Sequence, residues 1–325
     1  FPQSTGAKQK KMTAASSSLD ERYAAIKAAQ PSQTVHYAAW VSSIDGASLV
    51  AAAASLGLEL DLASGHISYA AGGSPLPTPA LCFDLMYVRH GKTTGNTEPR
   101  VYQGYVDEPS NALNEVGLGQ AEEAADKLDA LELKPDLVIL SPLSRAKDTG
   151  TAFLKRHSEL EAVTEVWDSS HEMAFGDWDN AMVKDLTDDS IAHLFYLDQN
   201  AVVKSSEPYE PPAGSKDESA AKRQKPVPVE NFVEVLVRMR KVLDDVNARV
   251  EKLVAERAAA SEGPAAEPTK RPLVLMYGHS MAGAAVGVLT GNGKVVDGEK
   301  FLGFDGKYIL PNATPVFLHR VGASP

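Results

Sequence analysis

Three short segments of this sequence carry side chains suited to gripping and attacking a dianionic phosphate. Arg89, His90 and Gly91 directly follow the apolar run Leu85–Val88. Ser141, Pro142, Leu143, Ser144 and Arg145 directly follow Leu137–Leu140, and Gly278, His279 and Ser280 follow Leu273–Tyr277. An imidazole is neutral and nucleophilic near neutral pH. A guanidinium offers a rigid fork of donors to an anion, and a glycine lets backbone approach a ligand closely. Singly, each segment has a plain structural explanation. Arg-His-Gly occurs in surface turns, and Gly-His-Ser in helix starts with an N-capping serine. Two arginines and two histidines converging from three strand ends are best rewarded by a phosphate.

The elements that must position these residues are legible in the hydrophobic pattern. Leu85–Val88, the run within Pro135–Leu140, Leu273–Tyr277 and Val316–Leu318 are short apolar segments bounded by turn formers, the pattern of buried strands. Between them lie amphipathic stretches. Asn114–Leu131 predicts a helix with Asn114 as N-cap and Leu118, Ala121, Ala125 and Leu128 on one face. A further helix leads from Ser144 to about Lys155, and a Gly- and Ala-rich helix follows His279. Glu230–Arg257 repeats apolar residues at helical spacing from Phe232 to Leu253. Alternating strands and helices predict an α/β fold, a three-layer α/β/α arrangement around a mainly parallel sheet. Ligands bind such sheets beyond the carboxyl ends of the strands.

With those positions fixed, the sequence resembles the histidine phosphatase superfamily, which includes the cofactor-dependent phosphoglycerate mutases. The resemblance is carried by Val88–Asn96, Tyr102-Gln103-Gly104, Leu113–Gly117, Gln120-Ala121, Ser141–Thr149, Glu172–Trp178 and Gly278-His279-Ser280, in the family's order. It implies a phosphoglycerate mutase-like fold over residues 81–325. It implies that His90 is the phosphorylated nucleophile, that Glu172 is the proton donor, and that Arg89, Asn96, Arg145 and His279 surround the phosphate. No metal and no cofactor is expected in that scheme. The expected substrate is a small phosphorylated metabolite, with a phosphoprotein as the other class.

The sequence also departs from the family's pattern. Lys92 stands where members often carry Glu, and Val229-Glu230-Asn231 replaces the usual Gly-Glu-Ser. Mutases typically follow the acid with Arg-His-Tyr-Gly, whereas here Met173-Ala174-Phe175-Gly176 follows Glu172. The expected activity is therefore a phosphomonoesterase. Mutase-type transfer is the first alternative and a non-catalytic phospho-ligand module the second.

Residues 1–80, rich in Ala, Ser and Gly, read as an N-terminal extension without assigned chemistry, partly disordered or linker. A helix is expected at Leu19–Ala29, an alternating segment at Thr34–Val41 and a stiff Pro-rich linker at 72–79. Flexible insertions are expected near 205–228 and 258–272. The 325 residues carry a net charge of -11, which disfavours nucleic acid as a partner but leaves room for a local cluster of cations. Apolar runs fall far short of the roughly 20 residues that span a bilayer, so no membrane partner is expected. The one cysteine, Cys82, reads as a small packing residue. No secretory signal is legible, which predicts a cytoplasmic protein, or an organellar one if a leader has been removed before Phe1.

Overall fold

Side chains alternate between the two faces of each strand, and here both faces are buried under helices. The computed structural model describes residues 46–61, 66–69, 79–174, 179–180, 230, 232–260, 271–292, 295–296, 299–300 and 309–321. The described helices are α1 (Gly46–Ser55), α2 (Glu115–Ala130), α3 (Ser144–Leu154), α4 (Phe232–Ala260) and α5 (Ser280–Leu289). A hairpin of β1 (Leu58–Asp61) and β2 (His66–Tyr69) follows α1. The main sheet contains β3 (Asp84–Arg89), β4 (Leu137–Leu140), β5 (Thr164–Val166) and β6 (Leu273–Gly278). After a two-residue ladder of β7 (Val295–Val296) and β8 (Glu299–Lys300), β9 (Pro315–His319) completes that sheet.

The sheet order is β5-β4-β6-β3-β9. Pairings within β5-β4-β6-β3 are parallel and the edge strand β9 is antiparallel to β3. Register places Arg89 opposite Gly278 and Leu140 opposite Tyr277, so β3, β6 and β4 end together. Leu85, Tyr87, Leu137, Ile139, Val274 and Met276 point into a core shared with α4 and α5. Met86, Val88, Val138, Leu140, Leu275 and Tyr277 point into a second core under α2 and α3. This is the expected three-layer fold with its mainly parallel sheet.

Most expected elements lie within a few residues of their observed bounds. Asn114 caps α2, its side chain accepting the Gly117 amide at 2.9 Å. Leu118, expected on the packed face, is instead 53% exposed. Its Cα lies about 75° around the helix from the middle of the stripe of Gly117, Ala121, Ala124, Ala125 and Leu128, beyond Ala125 at that stripe's edge. The long helix begins at Phe232 and runs to Ala260, so the start of the flexible stretch expected at 258–272 is helical. The remainder of that stretch through 270, the 205–228 insertion, Leu19–Ala29 and Thr34–Val41 lie outside the described residues.

Part of the N-terminal extension is built into the fold. Ala53, Leu56 and Leu58 join the core formed by Val235, Leu236, Met239 and Val246 of α4. Cys82 is half-buried, with its amide donating to Asn247 Oδ1 at 2.8 Å. Among the described residues no helix is long and apolar enough to cross a membrane.

Candidate active site

The strand ends meet at one cavity, lined among others by Arg89, His90, Asn96, Arg145 and Glu172. Five of the six residues singled out in the sequence therefore face one space. His279 stands behind His90, fully buried, with ring centroids 5.4 Å apart.

His90 is held by its backbone and by one ring nitrogen. Its amide donates to Gly278 O at 2.9 Å and its carbonyl accepts Asn312 Nδ2 at 2.7 Å. Nδ1 lies 2.8 Å from Gly91 O. A carbonyl oxygen only accepts, so Nδ1 carries the proton and Nε2 of the neutral ring keeps its lone pair. Burial, reinforced by Arg145 and Arg89, holds the ring's pKa well below its ordinary 6.5. Gly91 is required by space: a methyl group there would sit 2.6 Å from Gly117 O. The Gly91 amide donates to Thr149 Oγ1 at 3.0 Å, and Thr149 donates to Arg145 O at 2.7 Å. That pair of bonds links the end of β3 to α3.

Arg145 is wholly buried. Its Nη1 donates to Val106 O at 2.9 Å and its Nη2 to Gly104 O at 2.7 Å, which aims the guanidinium along the 102–107 loop. Burial lowers its pKa, opposed by Glu172, Asp107 and Asp179. Its Nε and the Nδ2 of Asn96 are buried donors with no hydrogen-bond partner among the described residues. Both residues line the cavity, so these donors border the space a bound anion would fill. Asn96 is set by a reciprocal turn, Thr93 N donating to its Oδ1 at 2.9 Å and its own amide donating to Thr93 Oγ1 at 3.0 Å. Arg89 donates from Nη1 to Leu310 O at 2.9 Å.

Behind His90, the Tyr87 hydroxyl accepts the His279 amide at 2.7 Å and donates to His279 O at 3.1 Å. Gly278 makes room for that hydroxyl, with which a methyl would collide. His279 Nε2 lies 2.6 Å from Ser141 Oγ, while its Nδ1 has no partner among the described residues. Burial, then Arg145 and His90, keep this ring's pKa well below 6.5 as well.

Glu172 occupies the N-terminus of α5. His279 is the N-cap residue of that helix but gives no side-chain cap, and Ser280 is its first residue rather than its cap. The first turn's amides are met by Glu172 instead: Ser280 N at 2.9 Å, Met281 N at 3.1 Å and Ala282 N at 3.1 Å. Met173 N at 2.9 Å and the Ser280 hydroxyl at 2.8 Å complete its donors. A negative charge at a helix N-terminus is favoured by the unpaired amides and the helix dipole. The strand of chain carrying Glu172 is stapled to α4 by Arg238. Its Nη1 donates to Ser169 O (2.7 Å) and His171 O (3.1 Å), and its Nε and Nη2 fork onto Glu230 at 2.6 and 2.9 Å. Glu230 N in turn donates to Ala174 O at 3.1 Å. His171 supports the same strand, stacking edge-on against Tyr105 at 4.4 Å.

Sequence reasoning missed several of these groups. Asn312 and Leu310 hold Arg89 and His90 from a C-terminal loop with no motif of its own. Arg100 and Ile309 line the cavity unheralded. Arg238 was one charge among many on an amphipathic helix, and no local spacing marked its pairing with Glu230, which precedes the helix. His157 pairs with Asp129 at 2.6 Å and Glu159 at 3.2 Å away from the cavity. Phe175–Trp178 lies outside the described residues, and with it the end of the Glu172–Trp178 motif. Among the described residues no group of three or more His, Cys, Asp or Glu is arranged to hold a metal ion.

Comparison with known proteins bears on this geometry. Residues 85–255 match the sequence model of the histidine phosphatase superfamily (branch 1). An Eimeria tenella protein described as mannitol-1-phosphatase is 43% identical over 308 residues, covering 92% of this chain and 95% of its own length. That span is too long to leave out residues 1–80 altogether. Among solved structures, a mycobacterial glucosyl-3-phosphoglycerate phosphatase is 25% identical, covering 64% of this chain and 78% of its own, with a TM-score of 0.40. A mutant phosphoserine phosphatase from Entamoeba histolytica is 16% identical, covering 72% and 94%, with a TM-score of 0.44.

Proposed function

This chain belongs to the histidine phosphatase superfamily, and on that premise we propose that it hydrolyses the primary phosphate ester of an acyclic polyol through a phosphohistidine on His90. The observation that carries the reading is the state of His90: a neutral ring with Nδ1 tied to Gly91 O and Nε2 left with its lone pair, beside buried donors of Arg145 and Asn96 that have no acceptor among the described residues.

In the first step Nε2 of His90 attacks phosphorus, and the bond from phosphorus to the ester oxygen breaks. Arg89, Arg145 and Asn96 meet the charge on the transferring oxygens, and His279 Nδ1–H joins them when Ser141 donates to its Nε2. Such fixed donors in a dry site supply most of the catalysis in phosphoryl transfer. Glu172 supplies the proton that the leaving alkoxide needs. In the second step it takes a proton from water, which attacks the phosphohistidine and releases phosphate and free His90. The residues of the chemistry all fall within 81–325, and in this reading the described part of residues 1–80 supplies packing.

The polyol class rests on the Eimeria tenella relative, which is described as a mannitol-1-phosphatase and aligns with nearly the whole chain. The cavity suits it: Arg100, Gln103 and Ser280 offer polar groups to hydroxyls, while Val101, Met281 and Ile309 give apolar wall. A small ester, as in that relative, is preferred here to a phosphoprotein. The test is phosphate release from a panel of mannitol 1-phosphate, sugar phosphates, phosphoglycerates and a phosphopeptide, with His90→Ala as control. The expected result is highest kcat/KM for mannitol 1-phosphate and no turnover by His90→Ala. Preference for a phosphoglycerate, with phosphate returned to the acid rather than to water, would overturn it in favour of a mutase.

A further inference from the structure

We infer that the Ser280 hydroxyl carries the proton between Glu172 and the reacting oxygen, so that Ser280 is itself a catalytic residue. The inference rests on the reading of Glu172 as acid and base.

The ground is the set of partners around the Glu172 carboxyl. Oε1 accepts from Met173 N, Met281 N and Ala282 N, and Oε2 accepts from Ser280 N, Met281 N and Ser280 Oγ. Four of these donors are backbone amides, which can donate but never accept. A proton placed on either oxygen meets those amides head-on. Among the described residues the Ser280 hydroxyl is the one partner that both donates and accepts. When Glu172 is ionised the hydroxyl donates to Oε2 across 2.8 Å. When Glu172 carries a proton on Oε2, the same contact reverses and the hydroxyl hydrogen turns away from the carboxyl. Glu172 is only 4% exposed, whereas Ser280 is half-buried and also lines the cavity. The turned hydrogen therefore has the substrate space before it.

The proton count closes over the two steps. As the ester bond breaks, Ser280 gives its proton to the leaving oxygen and receives the proton of Glu172. As water attacks the phosphohistidine, Ser280 takes a proton from water and returns one to Glu172. No further reactant is needed.

The experiment is rapid-quench, single-turnover measurement of phosphohistidine formation with two substrates. Mannitol 1-phosphate has a poor alkoxide leaving group that needs a proton. A nitrophenyl phosphate has a good one that does not. Ser280→Ala is expected to slow the first by roughly tenfold to a hundredfold and the second by less than about threefold. Ser280→Thr, which keeps a hydroxyl, should recover most of the loss. The rate in mixtures of light and heavy water should bow downward for the wild-type protein, as two protons in flight require, and become linear in Ser280→Ala. A merely structural serine would slow both esters alike. That outcome, or no slowing of either, would overturn the relay provided Glu172→Gln still discriminates between the esters. If Glu172→Gln also slows both alike, the acid reading itself fails and the relay with it. Should Ser280→Ala not fold, Ser280→Gly, well suited to a helix start, gives the same comparison.

Discussion

Two of the described helices begin just after a strand of the main sheet, α3 and α5, and both are capped by a carboxylate borrowed from elsewhere in the chain. At α3, Asp107 Oδ1 accepts the Ser144 amide at 2.9 Å and the Ser144 hydroxyl at 2.5 Å. At α5, Glu172 Oε2 accepts the Ser280 amide and hydroxyl at 2.9 and 2.8 Å. In both, a serine at the first helical position shares one carboxyl oxygen through its amide and its hydroxyl. The surroundings differ. Glu172 lines the cavity and is almost wholly buried. Asp107 does not line it and is half-buried. The same local device thus holds a helix at one strand end and, at the other, presents a carboxylate to the cavity. A capping geometry does not announce chemistry; the space it faces does.

The comparison is broken most forcefully at the carboxylates. Glu172→Gln should lower turnover of mannitol 1-phosphate by about a hundredfold or more, the usual worth of a general acid. Asp107→Asn should change steady-state turnover only severalfold. Comparable losses in the two variants would erase the distinction. Arg145→Ala removes donors from the transferring oxygens and should cost on the order of a hundredfold in kcat with either an alkyl or an aryl ester. A loss confined to the alkyl ester would instead place Arg145 with the proton path.

A smaller effect sharpens the account of how Glu172 is held. Arg238→Ala removes the donors to Ser169 O and His171 O and the ion pair with Glu230, and should cost roughly tenfold with the alkyl ester, with little change for the aryl ester and partial recovery in Arg238→Lys. Equal losses on both esters would reduce Arg238 to a stability residue. Smallest of all, Ser144→Ala, the counterpart of Ser280→Ala, should lower Tm slightly and leave the ratio of alkyl to aryl rates unchanged.

The two buried imidazoles add a pH dependence whose sign is fixed. His90 and His279 both have folded-state pKa values held below 6.5. The unfolded chain therefore binds protons that the folded one refuses, and stability is lost as pH falls below 6.5 toward the folded values. His157 works the other way: Asp129 raises its pKa, so its contribution is present below 6.5 and fades as pH rises through the raised value. It lies at the surface and is the weaker influence. Thermal denaturation from pH 7 to 5 should show a falling Tm, and a flat profile would mean the two rings are not kept neutral.

How much of this was readable in the sequence follows from where each residue gets its position. His90, Arg145 and His279 sit one to five residues beyond apolar strands, so the strand pattern alone puts them at one sheet edge. Asn114 as a cap was equally local, a polar side chain facing an amide three residues on. Glu172 was found through a family motif, but its place at the start of α5 was not, because it depends on a contact 108 residues away in the chain. The grip of Arg238 on Glu230 and the Ser169–His171 carbonyls had no periodic signature. The hold of Asn312 on His90 came from a loop 222 residues distant, beyond any local rule. The misplacement of Leu118 arose because a stripe of small residues, not the larger leucine, gives α2 its close approach to the sheet.

The central claim is that phosphate passes through Nε2 of His90. It is tested by mixing the protein with labelled mannitol 1-phosphate, quenching within milliseconds into alkali, and locating the label by peptide mass spectrometry. The account predicts an alkali-stable, acid-labile phosphate on the peptide holding His90, attached at Nε2, and absent in His90→Ala. Label on another residue, or phosphate released with no covalent species at any quench time, would contradict it.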